Sequence, residues 1–334
     1  MSGVVEKVTM AKVAEMAGVS KATVSRALGG SRLIGEGVRS HVEAIANELG
    51  YVRRSQKRHA ERSILTIKLV LPPAKNRSTQ LFYNFMTLAD GLREGLLPSV
   101  ANLIVETSSD KYCPYPHKKG GEVDGFVFAF HRPSNRVVNE IQESGSACVV
   151  MNRMVRGVRH VVSDHHDAMR QLAGHLASRE VRGNCCYVCY GGFGDLTRAR
   201  LSGFMDGCLE HGIEFDPLAD QSMVEGPEDI TVDYVKSLYE RGVRTFVGFN
   251  DIVGIVLMQQ LRSLGLQIPD DVKVTGCDCG PIHEISHPKL TSVDLSIFKL
   301  AREIGRSLQS EIVQHEKKAN SLLIKGKLLV GETT

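Results

Sequence analysis

A small all-α head followed by an α/β core with parallel sheets is the fold class this chain predicts, on three observations. The first 50 residues carry three short runs of apolar side chains at helical spacing. From residue 63 onward, short β-rich apolar runs alternate with longer amphipathic ones, the pattern of parallel strands joined by crossover helices. The chain has 334 residues, which leaves more than 250 beyond the head, enough for two packed α/β lobes.

In the head, Met10, Val13, Ala14 and Ala17 recur at helical spacing, Thr9 is a natural N-cap, and Gly18 can take the positive φ of a tight turn. A second helix is expected over 20–28, with Val24, Ala27 and Leu28 inward and Lys21, Ala22, Ser25 and Arg26 outward. A third carries Val38, Val42, Ile45, Ala46 and Leu49 as one stripe, with Gly35 at its start and Gly50 at its end. Periodicity alone fits a plain helical bundle. A helix, a glycine turn and a short polar second helix also place a few side chains in a DNA major groove. Charge favours the second reading. Residues 1–62 hold eleven Lys/Arg and six Asp/Glu, a net of +5, whereas the whole chain is only +3.

In the core, strands are expected at 66–72, 102–107, 125–130, 147–152, 185–190, 245–250, 272–278 and 290–294, with a last one near 328–332. Helices are expected at 81–96, 134–144, 166–178, 197–211, 230–241, 252–264 and 297–315. Ligands of such sheets bind beyond the carboxyl ends of the strands, so the loops there are the place to look. Pro114 and Pro116 should prevent a long helix between the second and third strands.

The order of residue types narrows the reading. The string V-T-x-x-x-V-A-x-x-A-G-V-S-x-x-T-V-S-R-x-L, closed by E-L-G-Y, resembles the DNA-binding headpiece of the lactose-repressor/galactose-repressor family. The segments DLTRARLSGFMDG, TFVGFNDIVGIVLMQQLRSLGLQIPDDVKVTGCDCGPI and PKLTSVD look like that family's sensor core, which is similar to periplasmic sugar-binding proteins. The resemblance implies a helix-turn-helix headpiece at 1–53, a basic hinge at 54–63 and a two-lobed periplasmic-binding-protein-like core at 64–334. Lobe 1 would take about 64–162 and 293–322, and lobe 2 about 163–292 and 323–334. It also implies base reading by Lys21, Ala22 and Arg26, phosphate contacts from Met10, Ser20, Thr23 and Ser25, and a minor-groove hinge at Lys57, Arg58 and Ala60. The chemistry agrees, because Arg26 can donate two parallel hydrogen bonds to guanine, and short hydroxyls suit phosphate oxygens. The chain departs from the family at the hinge. Arg53 and Arg54 replace Pro-Asn, Lys57 replaces Ala, and Ala60 stands where a bulky Leu would wedge between base pairs. Gly29, Gly35 and Val38 stand where the family more often has polar contacts.

A small-molecule effector, a carbohydrate above all, is implied by the same resemblance. Arg200, Asn250, Asp251 and Asp278 fall on cleft-facing positions, with Phe82, Phe130, Asn152 and Arg153 on the other lobe. Vicinal hydroxyls need such planar hydrogen-bonding groups. Asp251 is equally well placed as the N-cap of the helix at 252, and Asp278 as an acceptor for turn amides. The chain has no Trp, so any stacking falls to Phe or Tyr.

Other chemistries are poorly supported. Cys186 and Cys189 form a C-x-x-C, yet on a strand they point apart, and with Cys277 and Cys279 they read as structural thiols. His131, His165 and His166 read as surface or hydrogen-bonded side chains. No Walker motif, G-x-S-x-G elbow or nucleophile–base pair is present, so neither enzyme nor cofactor is expected. No apolar run spans a bilayer and no secretory signal opens the chain, which points to the cytoplasm. The expectation is a transcription regulator, probed on a pseudo-palindromic operator as a homodimer, since one headpiece reads only a half-site. No heptad repeat closes the chain, so no tetramerising coil is expected. The rival is a cytoplasmic solute-binding receptor with no gene-regulatory role.

Overall fold

The computed structural model describes residues 8–28, 34–51, 64–72, 83–109, 112–114, 123–179, 184–190, 194–314 and 321–334. Lys57, Arg58, Ala60 and Phe82, and with them the whole hinge, lie outside the described residues.

The head is three helices: α1 (Met10–Met16), α2 (Lys21–Leu28) and α3 (Glu36–Glu48). Val13, Ala14, Ala17, Val24, Ala27, Val42 and Ala46 form its core, with Ile45, Leu49 and Tyr51 packed against it. Val38 does not join the stripe and is 42 % exposed. It lies in the first turn of α3, beyond the cover that a seven-residue and an eight-residue helix provide.

The chain divides into two compact units, one of Met1–Pro73, which includes the head, with Gly91–Val161 and Ala301–Ser321, the other of Ala74–Asp90, Val162–Leu300 and Leu322–Thr334. The middle crossing falls later than the expected 293. β10 (Ser292–Asp294) pairs with β12 (Lys327–Leu329), and Leu295 packs in the core of the second unit.

The first unit is built on β1 (Ile64–Leu71), β2 (Val100–Thr107), β3 (Gly125–Ala129), β4 (Ala147–Met151) and β5 (Arg159–Ser163), all parallel where they pair. With β11 (Leu322–Ile324) the order is β11-β5-β4-β3-β1-β2. All five residues of β3 are buried, as a central parallel strand with both faces covered requires. Helix α5 (Asn135–Ser144) packs Val137, Val138 and Ile141 against Phe126 and Phe128. On the other face, α4 (Phe85–Leu96) meets α11 (Ile297–Val313) at a glycine contact: a Cβ on Gly95 would lie 2.1 Å from the Arg302 carbonyl oxygen.

The second unit orders β6 (Asn184–Tyr190), β7 (Gln221–Val224), β8 (Val243–Gly248) and β9 (Lys273–Thr275) as β7-β6-β8-β9, again parallel. Its helices are α6 (His165–Ser178), α7 (Asp195–His211), α8 (Val232–Glu240), α9 (Asp251–Ser263) and the short α10 (Pro281–Glu284). β5, β7 and β11 are absent from the expected elements. β5 and β7 are short and mostly polar or exposed, and the apolar run of β11 is only three residues long, too short to mark a strand. Between β2 and β3, Tyr112–Pro114 is not helical, as its proline requires, and Pro116 lies outside the described residues.

Candidate functional site

The head presents one polar helix face. Thr9 caps α1, its hydroxyl accepting from the Lys12 N–H at 3.4 Å, and Gly18 turns the chain at φ +64°. Ser20 then caps α2, accepting from the Thr23 N–H at 3.0 Å and sharing a 2.9 Å hydrogen bond with the Thr23 hydroxyl. The second helix therefore begins one residue later than expected, because Ser20 caps it rather than joining it. Lys21, Ala22 and Arg26 are exposed, while Ser25 and Thr23 are half-buried beside them. Met10 is different: its side chain packs against the head's core and is half-buried.

In the second unit, polar residues from four strand ends converge. Arg200, on α7 beyond β6, is only 2 % exposed. Its Nη1 donates to the Phe249 carbonyl at 2.6 Å, its Nη2 donates to Asp278 Oδ1, and Nε and Nη2 both lie 3.4 Å from His165 Nδ1. The guanidinium also sits over the Phe249 ring, 4.7 Å from its centroid. A guanidinium has donors only, so His165 Nδ1 is the acceptor in these contacts. Burial disfavours the Arg200 charge, but the Asp278 carboxylate more than offsets this and raises its pKa.

The same corner carries Asn250 and Asp251. Asn250 is the N-cap of α9, its Oδ1 accepting from the Val253 N–H at 3.0 Å. Asp251 is neither cap nor exposed contact, because the helix begins one residue earlier than expected and the cap falls to Asn250. Its carboxylate is 2 % exposed, accepts from the Ser292 hydroxyl at 2.5 Å and from the Gly280 N–H at 3.0 Å, and burial pushes its pKa up to about 6. The Gly280 turn amide is thus served by Asp251.

In the first unit, Phe130 and Asn152 follow β3 and β4 in left-handed conformations, φ +63° and +55°, which non-glycine residues seldom adopt. Arg153 Nη1 donates to the Asn152 carbonyl at 2.6 Å. Next to Phe130, His131 Nδ1 donates to the Ala129 carbonyl at 3.0 Å, and burial, with the Arg153 charge, lowers its pKa. His166 pairs with Asp206 at 2.7 Å on the surface and His165 is buried and hydrogen-bonded in the Arg200 network, the two situations expected of that pair. Cys186 and Cys189 are buried in β6, and burial pushes the Cys186 thiol up to about 12.

Residues 9–54 match the model of bacterial regulatory proteins of the lacI family, and residues 173–334 match that of the periplasmic binding protein-like domain. The transcriptional regulator CelR of Thermobifida fusca is 25% identical over 338 residues, covering 97% of this chain and 98% of that one. DegA of Bacillus subtilis (strain 168) is 26% identical, with 98% of each chain covered. The chain carries a lacI-family DNA-binding domain ahead of a periplasmic binding protein-like domain. It is a DNA-binding transcription regulator, as those relatives are. The fold of the chain matches that of the solved CelR–cellobiose complex with a TM-score of 0.65, at 24% identity, covering 98% of this chain and all (100%) of the other. Among the described residues, no helix is long and apolar enough to cross a membrane.

Of the expected effector residues, the structure brings Arg200, Asn250, Asp251 and Asp278 into one corner of the second unit, and Phe130, Asn152 and Arg153 onto adjacent strand ends of the first. His165, Phe249 and Ser292 join the corner without a signal in the sequence. They are separated from Arg200 by 35, 49 and about 90 residues, and no spacing rule links positions that far apart.

Proposed function

We propose that the chain is a homodimeric repressor whose operator affinity is set by an uncharged carbohydrate. The observation that carries this reading is the saturation of Arg200. Its donors go to Phe249, Asp278 and His165, so the cation of this wall is already compensated, and the Asp278 carboxylate, whose side chain is 15% exposed, would accept from ligand hydroxyls. Such a wall suits sugar hydroxyls and disfavours a phosphate or a carboxylate, which would meet Asp278 first. The relative CelR, solved with cellobiose, supports a sugar. Phe130, Asn152, Arg153 and Phe82 are kept as the further ligand contacts that the family resemblance implies.

On DNA, Arg26 would read guanine through two parallel hydrogen bonds, Lys21 similar acceptors, and Ala22 a thymine methyl. Ser20, Thr23 and Ser25 would meet phosphates with their hydroxyls, and Met10 through its backbone. Lys57, Arg58 and Ala60 would follow the minor groove, electrostatically rather than by wedging. The working division is headpiece 1–53, hinge 54–63 and core 64–334, in the cytoplasm and without catalysis. A sugar that binds the two functional states unequally shifts operator affinity, and operator DNA shifts sugar affinity by the same factor.

A thermal-shift panel of neutral sugars, sugar phosphates and nucleosides tests this reading, followed by operator binding with the compound that shifts most. The reading expects a neutral sugar. A response confined to phosphorylated compounds would refute the charge argument, and sugar binding by a protein indifferent to DNA would establish the solute-receptor alternative.

A further inference from the structure

The turn after β9 is strained and held from outside. Asp278 and Cys279 both have positive φ, +124° and +49°, in a segment that carries the one carboxylate paired with Arg200. Such a backbone conformation is costly for a non-glycine residue and persists only where its surroundings enforce it. On one side the backbone does so: the Asp278 N–H donates to the Val293 carbonyl at 3.0 Å, in register with β10. On the other side the enforcing group is a side chain. The Asp251 carboxylate accepts from the Gly280 N–H and also from the Cys279 N–H, and the Ser292 hydroxyl fixes its second oxygen. The Asp251 N–H donates to the Cys277 carbonyl at 2.9 Å, so the first residue of α9 grips the turn at both its start and its end.

Glycines let the backbone approach this carboxylate closely. A Cβ on Gly276 would lie 2.6 Å from Asp251 Oδ1, and one on Gly254 would lie 2.9 Å from the Thr275 carbonyl oxygen. A buried carboxylate is costly unless hydrogen-bonded, and here it spends its acceptors on the backbone of one turn.

We propose that Asp251 is a positioning residue for the effector site: by gripping Cys279 and Gly280 it holds the turn that aims Asp278 at Arg200 and at the ligand. This rests on the reading of Asp278 as part of the sugar-binding wall. Asp251 itself touches no ligand. Its effect on affinity passes through Asp278, and the two residues must act as a unit.

The test uses the full-length chain with Asp251→Asn, Asp278→Asn, the double variant and Ser292→Ala, the last as a milder perturbation should Asp251→Asn fold poorly. Hydrogen exchange over residues 277–281 reads the grip without any ligand. Cellobiose, glucose and ribose serve as probes for binding by calorimetry. The grip predicts faster exchange in 277–281 for Asp251→Asn, and to a lesser degree for Ser292→Ala, with β6 and β8 unchanged. It also predicts roughly tenfold weaker binding of the responding probe for Asp251→Asn, and no further loss when that change is added to Asp278→Asn. Unchanged exchange overturns the proposal, and so do losses that multiply in the double variant. If Asp278→Asn binds the probe as tightly as the parent chain, or if none of the probes binds, the reading of the sugar wall fails, and the exchange data still decide whether Asp251 holds the turn.

Discussion

Replacing Arg200 with Met removes the charge from the centre of the second unit while keeping most of the side chain's volume. In the parent chain the guanidinium is 2 % exposed and bound to the Phe249 carbonyl, Asp278 and His165. The variant leaves the Asp278 carboxylate, whose side chain is 15% exposed, without the Arg200 counter-ion, and takes the Arg200 donor from the Phe249 carbonyl. Removing one partner of a buried pair costs roughly 3–5 kcal/mol, and an orphaned buried carbonyl roughly 1–3 more. These terms overlap, and Asp278 can turn partly toward water, so a loss of about 3–4 kcal/mol is expected. Urea unfolding followed by circular dichroism measures it, each unit's transition being fitted separately because two units need not unfold together. The double variant Arg200→Met, Asp278→Leu should recover at least half of the loss, since it removes the stranded charge as well. A loss under about 1 kcal/mol for the single variant, or a double variant no more stable than the single one, would refute the view that a compensated charge organises this corner.

Other consequences can be checked in parallel. Arg26→Ala should cost about 1–3 kcal/mol on specific DNA and relax preference at one base position; an equal loss on all sequences in gel-shift titrations would make Arg26 a phosphate contact only. Gly95→Ala puts a methyl 2.1 Å from the Arg302 carbonyl oxygen and should lower stability by about 1–3 kcal/mol by separating α4 from α11; a melting temperature unchanged within error would contradict that contact. Asp251 has a pKa near 6 in the folded chain against an ordinary 3.8, so the folded state holds this proton to higher pH. Its stabilising contribution is complete below pH 3.8 and is lost as the pH rises through about 6, a swing of roughly 3 kcal/mol at most. Melting curves of the parent chain should therefore fall more steeply between pH 4 and 7 than those of Asp251→Asn, and parallel profiles would count against the burial of an ionisable group there.

Local signals carried most of the fold into the sequence. The head was legible because its caps and apolar spacing are set within seven or eight residues, as Thr9, Gly18 and the Val13/Val24/Val42 core illustrate. Val38 failed for the same reason: periodicity cannot tell how far a neighbouring helix reaches. Central strands such as β3 announced themselves as continuous apolar runs, whereas β5, β7 and β11 at the margins did not. At the candidate site, Arg200 and Asp278 were visible one at a time, but their partners were not. His165, Phe249 and Ser292 come together only through the strand order β7-β6-β8-β9 and the return of the chain through β10. The exchange of roles between Asn250 and Asp251 turned on a single residue of helix boundary, which sequence rules place no better than a few residues.

The most direct test of the account is selection of the full-length chain on a randomised DNA duplex library, repeated with the sugar that raises its melting temperature most. A regulator of the proposed kind enriches one inverted repeat, reads a guanine through Arg26 in each half, and changes its affinity for that repeat when the sugar is added. Binding that is uniform across sequences and indifferent to the sugar would contradict it.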